Sequence, residues 1–336
     1  MIKAILAVLT AVFSTSIYAQ EHCKSLADIE RLQCYDDWLL TGSTIDLPGT
    51  EESTQAVELT DIGSVLRSLW ELSPEDKRGT YTVRTYQANF VLPYHYSSNI
   101  NKQPTTPTLG AADLQENYKP HEAKIQLSLR AKMLENVLLP DADLWFAYTQ
   151  TSLWQVWNSE DSAPFRSTDY QPEIIYVIPT LNYLQPLPFG WNINMVQLGF
   201  VHQSNGQSEP LSRSWNRYYV ALALEHEQFG LFLKTNRRIK EKQEDDDNPD
   251  LTRYIGSSEV SFSWVPGPGS ATITRRLNWH NHRRGAWQLD LTYPLSRSNP
   301  ESLRLHLQLF SGYGETLLDY NHRQNTLGLG VMLFNF

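Results

Sequence analysis

Apolar and polar side chains alternate along several stretches of the chain. In residues 215–226, Tyr218, Val220, Leu222 and Leu224 share one face; Arg217, Tyr219, Ala221, Ala223 and Glu225 share the other. Further on, Leu303, Leu305, Leu307 and Leu309 oppose Arg304, His306, Gln308 and Phe310. A period of two places successive side chains on opposite faces of a strand. The pattern predicts twelve strands from Tyr81 onward: 81–92, 123–134, 143–157, 173–184, 191–202, 215–226, 231–239, 257–265, 270–279, 286–293, 302–312 and 325–336. Many approach the ~9–11 residues that a tilted strand needs to cross a bilayer.

Alternation suits a soluble sandwich as well as a lipid-facing barrel. Three features favour the barrel. The chain ends in "VMLFNF", with Met332, Phe334 and Phe336 at alternate positions, which resembles the C-terminal signal of outer-membrane barrel proteins. Short connections such as "EQFG" and "PGPG" contrast with long polar ones at 93–122, 158–172, 203–214 and 240–256, the pattern of periplasmic turns and outer loops. Trp154, Trp157, Trp191, Trp215 and Trp287 gather at strand ends, as interfacial girdles do. The expected fold is all-β, a 12-stranded antiparallel transmembrane β-barrel. With both termini periplasmic, the connections after odd strands face outward.

The start of the chain reads as a secretory signal peptide over residues 1–19. Lys3 supplies a positive n-region, Ile5 to Phe13 an apolar core, and Ala19 the cleavage site. Residues 20–79 read as a small periplasmic segment, helical in spacing at Leu26, Ile29 and Leu32 and then linker-like. Residues 80–336 form the barrel. Mean hydropathy is −0.42, yet aromatics make up 12% of the residues; in a barrel only every second side chain meets lipid, which keeps the mean low. The net charge of −9, with no basic cluster, argues against nucleic acid as a partner. The two cysteines, Cys23 and Cys34, are expected to form one disulfide in an oxidising compartment.

Candidate chemistry lies in "GFVHQSNGQSEPLSRSWNRYY", residues 199–219. The even positions Val196, Leu198 and Phe200 lead on one face to His202 and Ser204, a spacing that lets the imidazole reach the hydroxyl. On the next strand the stripe Leu224, Leu222, Val220 and Tyr218 ends at Asn216. Hairpin neighbours lie side by side, so Asn216 falls near His202. A serine needs a base to become a nucleophile, and that base needs an orienting partner. Ser204, His202 and Asn216 fit these roles for acyl transfer, on the lipid-facing side of the barrel. His-x-Ser alone is common, and "SNGQSEP" also suits an ordinary loop tip.

The run "HQSNGQSEPLSRSWNRYY" resembles the central motif of the outer membrane phospholipase A family. "YTQTSLWQVWNSEDSAPFRSTDYQPEI" (148–174), "DDNPDLTRYIG" (246–256) and "SGYGETLLDYNHRQNTLGLGVML" (311–333) are similar to its other blocks, in matching order. The resemblance implies a calcium-dependent outer-membrane phospholipase acting on glycerophospholipids by a Ser-His-Asn triad. It implies A1 and A2 cleavage, action on lysophospholipids, and activation by homodimerisation, with the active site toward the outer leaflet. The triad falls on His202, Ser204 and Asn216. The calcium positions fall on Ser212, on Ser162 reached from the partner subunit, on the main-chain carbonyl of Gln207, and on Asp247 in the monomer. Gln150 falls at a polar position of the dimer interface. The family carries Arg where Gln207 stands, so any role of that charge is lost here. Two other classes compete: a passive pore, which needs no Ser/His pair on its outer face, and another barrel hydrolase such as a lipid A deacylase or a surface protease.

Overall fold

The alternating segments close into a cylinder. The computed structural model describes residues 62–180, 187–279, 281–296, 299 and 302–333. The signal peptide, the Cys23–Cys34 pair, Phe334 and Phe336 lie outside the described residues. The barrel strands are β1 Phe90–Ser97, β2 His121–Leu134, β3 Asp143–Trp154, β4 Phe165–Pro179, β5 Asn192–Ser204 and β6 Ser214–His226. They continue as β7 Phe229–Arg238, β8 Ser258–Trp264, β9 Ser270–Leu277, β10 Gly285–Pro294, β11 Arg304–Tyr313 and β12 Arg323–Met332. Each pairs antiparallel with the next, and β12 pairs with β1 through Leu327↔Tyr96 and Leu329↔Tyr94. Closure removes the unpaired edges that an open sheet would present.

The two faces follow the sequence pattern. Leu198, Phe200, Tyr218, Val220, Leu305 and Leu309 point outward and are exposed, whereas Arg304, His306, Gln308 and Phe310 are buried inside. The interior is polar and ion-paired. Arg166 Nε lies 2.7 Å from Glu122 Oε1, and its Nη1 lies 2.9 Å from Asp319 Oδ2. Lys124 Nζ and His95 Nε2 both meet Glu315 Oε1. Residues 314–322 follow β11 and carry Glu315 and Asp319 to these partners. Leu317 and Tyr320 from this connection pack with Trp215 and Leu251.

At the other end, helix α1 (Ile62–Trp70) packs against β5 and β6. Trp70 and Leu72 join Trp145, Ile175, Val177 and Met195 in a buried cluster. The Arg130 guanidinium stacks over the Trp70 ring at 3.8 Å. Glu71, buried, pairs with Lys132 and Arg84. The residues just before Tyr81 thus contribute to the packing of the barrel body.

Three expectations shift. The first strand, expected at 81–92, is β1 at 90–97, and Val83–Thr85 pairs separately with Leu129–Ala131 of β2. A register shift between Leu92 and His95 accompanies Pro93, which lacks an N–H for the ladder. The fourth strand, expected at 173–184, is β4 at 165–179. The polar run "FRSTDYQP" hid its first half, and the β4–β5 ladder skips rungs between Tyr170↔Ser204 and Glu173↔Val201, where Pro172 sits. Trp215 is buried and faces inward, so it is no girdle residue; Trp157, Trp264 and Trp287 are exposed.

The connections 98–120, 155–164, 205–213, 239–257, 278–284 and 314–322 share one end of the barrel. This end holds every candidate site residue outside the strands. At the other end, 227–228 and 265–269 are tight turns, and Pro188–Gly190 forms a turn just before β5.

Candidate active site on the outer face of the barrel

His202 and Asn216 are direct cross-strand partners in the β5–β6 ladder. Their side chains meet, with His202 Nδ1 2.9 Å from Asn216 Oδ1. An amide oxygen only accepts, so His202 Nδ1 carries the proton and Nε2 keeps its lone pair. Ser204 is two residues along the same face, paired with Ser214. Among the described residues no hydrogen bond joins Ser204 to His202; a nucleophile and its base often tighten only when substrate arrives. All three residues are half-buried at the end of two exposed apolar stripes.

The 205–213 loop is tied down by Asn205, which is buried. Its backbone N–H bonds Arg213 O at 3.0 Å, its Nδ2 bonds Leu211 O at 2.7 Å, and its Oδ1 accepts from Arg213 N at 2.9 Å. Burial lowers the pKa of the Arg213 guanidinium, which donates to Pro210 O and Ser212 O. The 239–257 connection is docked on β6 by Asn248, whose Oδ1 accepts from Ser214 N at 3.0 Å. Inside this connection the short helix α2 (Leu251–Ile255) buries Leu251. Burial, and then the hydrogen bond to Asp250, pushes the Tyr320 phenol well above its usual range, so it stays a neutral donor.

This docking brings two of the candidate calcium residues together: Ser212 Oγ donates to Asp247 Oδ2 at 2.5 Å. Gln207 lies in the same loop, and its side-chain Oε1 is buried without a hydrogen-bond partner. Ser162 is exposed in the 155–164 connection with a left-handed backbone, φ 59°. Asp245 is exposed, and Asp246 accepts from Arg238 Nη2 at 2.7 Å. Among the described residues no three His, Cys, Asp or Glu side chains cluster as a metal cage. Any cation here therefore relies on hydroxyl, carbonyl and carboxylate oxygens together, the mixture that calcium accepts.

Gln150 sits on the outward face of β3, between Leu127 and Tyr170. Tyr170 in turn pairs with Ser204. Gln150 and Ser204 therefore share a lateral row two strands apart, about 10 Å at normal strand spacing. Gln150 accepts from Tyr148 Oη at 3.1 Å and donates to Ser152 Oγ at 3.4 Å.

One residue escaped the sequence reading. Glu241, beyond the end of β7, accepts a hydrogen bond from Asn216 Nδ2 at 3.1 Å. The signal was present: the outward positions Thr235 and Arg237 pair with Val220 and Tyr218, and the same alternation continues to Ile239 and Glu241.

The family model described as Phospholipase A1 matches residues 66–333. A putative phospholipase A1 of Neisseria meningitidis serogroup B is 37% identical over 82% of this chain and 72% of its own length. The structure of outer membrane phospholipase A from Escherichia coli superposes with a TM-score of 0.67, at 35% identity over 76% of this chain and all of that one. The outer membrane phospholipase dimer of Salmonella typhi, with bound calcium, gives 0.69 at 32% identity, over 81% of this chain and 98% of that one. The barrel, the outward hydroxyl-imidazole-amide row and these likenesses agree: the chain belongs to the phospholipase A1 family of ester hydrolases and is a β-barrel of the bacterial outer membrane.

Proposed function

We propose that the chain hydrolyses acyl esters of glycerophospholipids at the outer leaflet, with Ser204 as nucleophile, His202 as base and Asn216 as its orienting partner. The observation that carries this reading is the His202–Asn216 hydrogen bond at the lipid-facing end of two apolar stripes. Ser204 Oγ attacks the ester carbonyl carbon while His202 Nε2 takes its proton. The imidazolium returns that proton to the departing glycerol oxygen, leaving an acyl-serine. Water, deprotonated by the same nitrogen, attacks the acyl-serine and frees the fatty acid and Ser204. An amide holds the tautomer as a carboxylate would, without adding a full charge. The flat outer face gives the acyl position of the lipid little to discriminate, in keeping with A1 and A2 cleavage and with lysophospholipid hydrolysis.

Calcium is the proposed cofactor. Ser212 and the main-chain carbonyl of Gln207, in one loop, fit it, and Asp247, whose carboxylate already meets the Ser212 hydroxyl, adds a ligand in the monomer. When bound, calcium supplies positive charge for the oxygen that becomes negative during attack. Ser162 is the oxygen offered from a partner subunit. Homodimerisation across the Gln150 face completes the ligand set and roofs the surface beside Ser204; a polar side chain facing lipid gains from a partner across a two-fold interface. The test uses phospholipid labelled separately at each acyl position, with single barrels trapped in nanodiscs compared with free dimers at saturating calcium. The reading predicts release from both positions by dimers and little from trapped monomers. Equal activity of the two forms overturns the dimer requirement.

A further inference from the structure

We infer that Glu241 is a positioning residue of the site, the member that decides which way the Asn216 amide points; this rests on the triad reading above. An asparagine side chain can be turned end for end with little change in shape, and only its hydrogen-bond partners choose between the two orientations. With the oxygen toward His202, the imidazole must protonate Nδ1 and leaves Nε2 free as base. With the nitrogen toward His202, the amide donates instead, Nδ1 must accept, and Nε2 carries the proton. That imidazole cannot take a proton from Ser204. Asn216 alone does not choose.

Glu241 does. A carboxylate offers acceptors only, and Glu241 Oε1 lies 3.1 Å from Asn216 Nδ2. The NH2 group is thereby turned toward β7, and Oδ1 is left 2.9 Å from His202 Nδ1. The chain of bonds runs Glu241, Asn216, His202, each donor pointing back along it, so that each bond strengthens the next.

Glu241 is itself held for this purpose. Ile239 N donates to Asn216 O at 2.8 Å, continuing the β6–β7 ladder one step past the last strand pair. That step puts Glu241 on the outward face, beside Asn216. Arg238 comes within 3.9 Å of the other carboxylate oxygen, Oε2. Its stronger bonds go to Asp246 Oδ1 and Asn248 O, both at 2.7 Å. Oε1 therefore remains for Asn216.

The test compares Glu241→Ala and Glu241→Gln in the full-length protein, alone and combined with Asn216→Ala. Fatty-acid release from mixed phospholipid–detergent micelles is followed at saturating calcium. Glu241→Ala is expected to lower kcat about tenfold at unchanged KM. Glu241→Gln keeps an acceptor oxygen and is expected to recover most of that loss. In the Asn216→Ala background the Glu241→Ala change is expected to do nothing further, because there is no amide left to orient. Unaltered kcat in Glu241→Ala, no recovery in Glu241→Gln, or an equal loss in the Asn216→Ala background would each overturn the inference. Ser204→Ala, run alongside, separates the two levels of the argument: activity there sinks the triad itself, whereas an inactive Ser204→Ala with an unaffected Glu241→Ala sinks only the role of Glu241.

Discussion

His202 Nδ1 lies 2.9 Å from Asn216 Oδ1 across one rung of the β5–β6 ladder, on the face of the barrel that meets lipid. The register of a single hairpin sets this contact. A slip of one residue would turn either side chain to the interior, where Val201 and Arg217 now point and are buried. The site thus inherits its precision from the strands.

Asn216→Ala is expected to reduce kcat by roughly one to two orders of magnitude, while Ser204→Ala and His202→Ala remove about four or more. In the proposed triad the amide orients the base, whereas the other two make and break bonds. Steady-state kinetics on variants that keep the heat-modifiable mobility of a folded barrel checks the order. An Asn216→Ala protein as inactive as Ser204→Ala contradicts it.

Asp247→Ala is expected to raise the calcium concentration that half-saturates the monomer by about tenfold, since a carboxylate is the strongest single ligand at such a site. Asp245→Ala, in an exposed position of the same connection, should leave it unchanged. Calcium titrations of both variants make the comparison.

Arg166 is fully buried between Glu122 and Asp319, which are buried too. Arg166→Met leaves two carboxylates without their cation, a loss of about 3–5 kcal/mol. Denaturant unfolding in detergent micelles measures it. Replacing all three residues with apolar ones of similar volume should recover much of the loss.

The seam between β12 and β1 depends on Gly330. A Cβ there would come within 2.1 Å of Val91 O and 2.7 Å of Leu92 Cα, beside the register shift at Leu329–Val331. Both neighbours are backbone and cannot swing aside, so Gly330→Ala should cost about 1–3 kcal/mol of barrel stability. The same unfolding experiment reads it.

The alternating stripes made the barrel legible in the sequence, because a membrane strand leaves a period of two wherever one face meets lipid. The stripes ending at His202, Ser204 and Asn216 made the site legible for the same reason. Prolines blurred the boundaries: Pro93 and Pro172 interrupt pairing within strands that nevertheless continue. Trp215 sits at a strand end as a girdle residue would, but at an odd position, and the even positions of β6 are the ones that face lipid. The meeting of Ser212 with Asp247 depends on how two loops dock through Asn248 and Ser214, and no local pattern encodes that. Glu241 lies in plain view on an outward stripe, but within the connection 240–256, which reads in the sequence only as long and polar.

The most direct test of the account is fatty-acid release from mixed phospholipid micelles, with and without calcium, by the unaltered protein and by Ser204→Ala. Calcium-dependent release is expected from the unaltered barrel and none above background from Ser204→Ala, although that variant folds. Near-normal release by Ser204→Ala would contradict it.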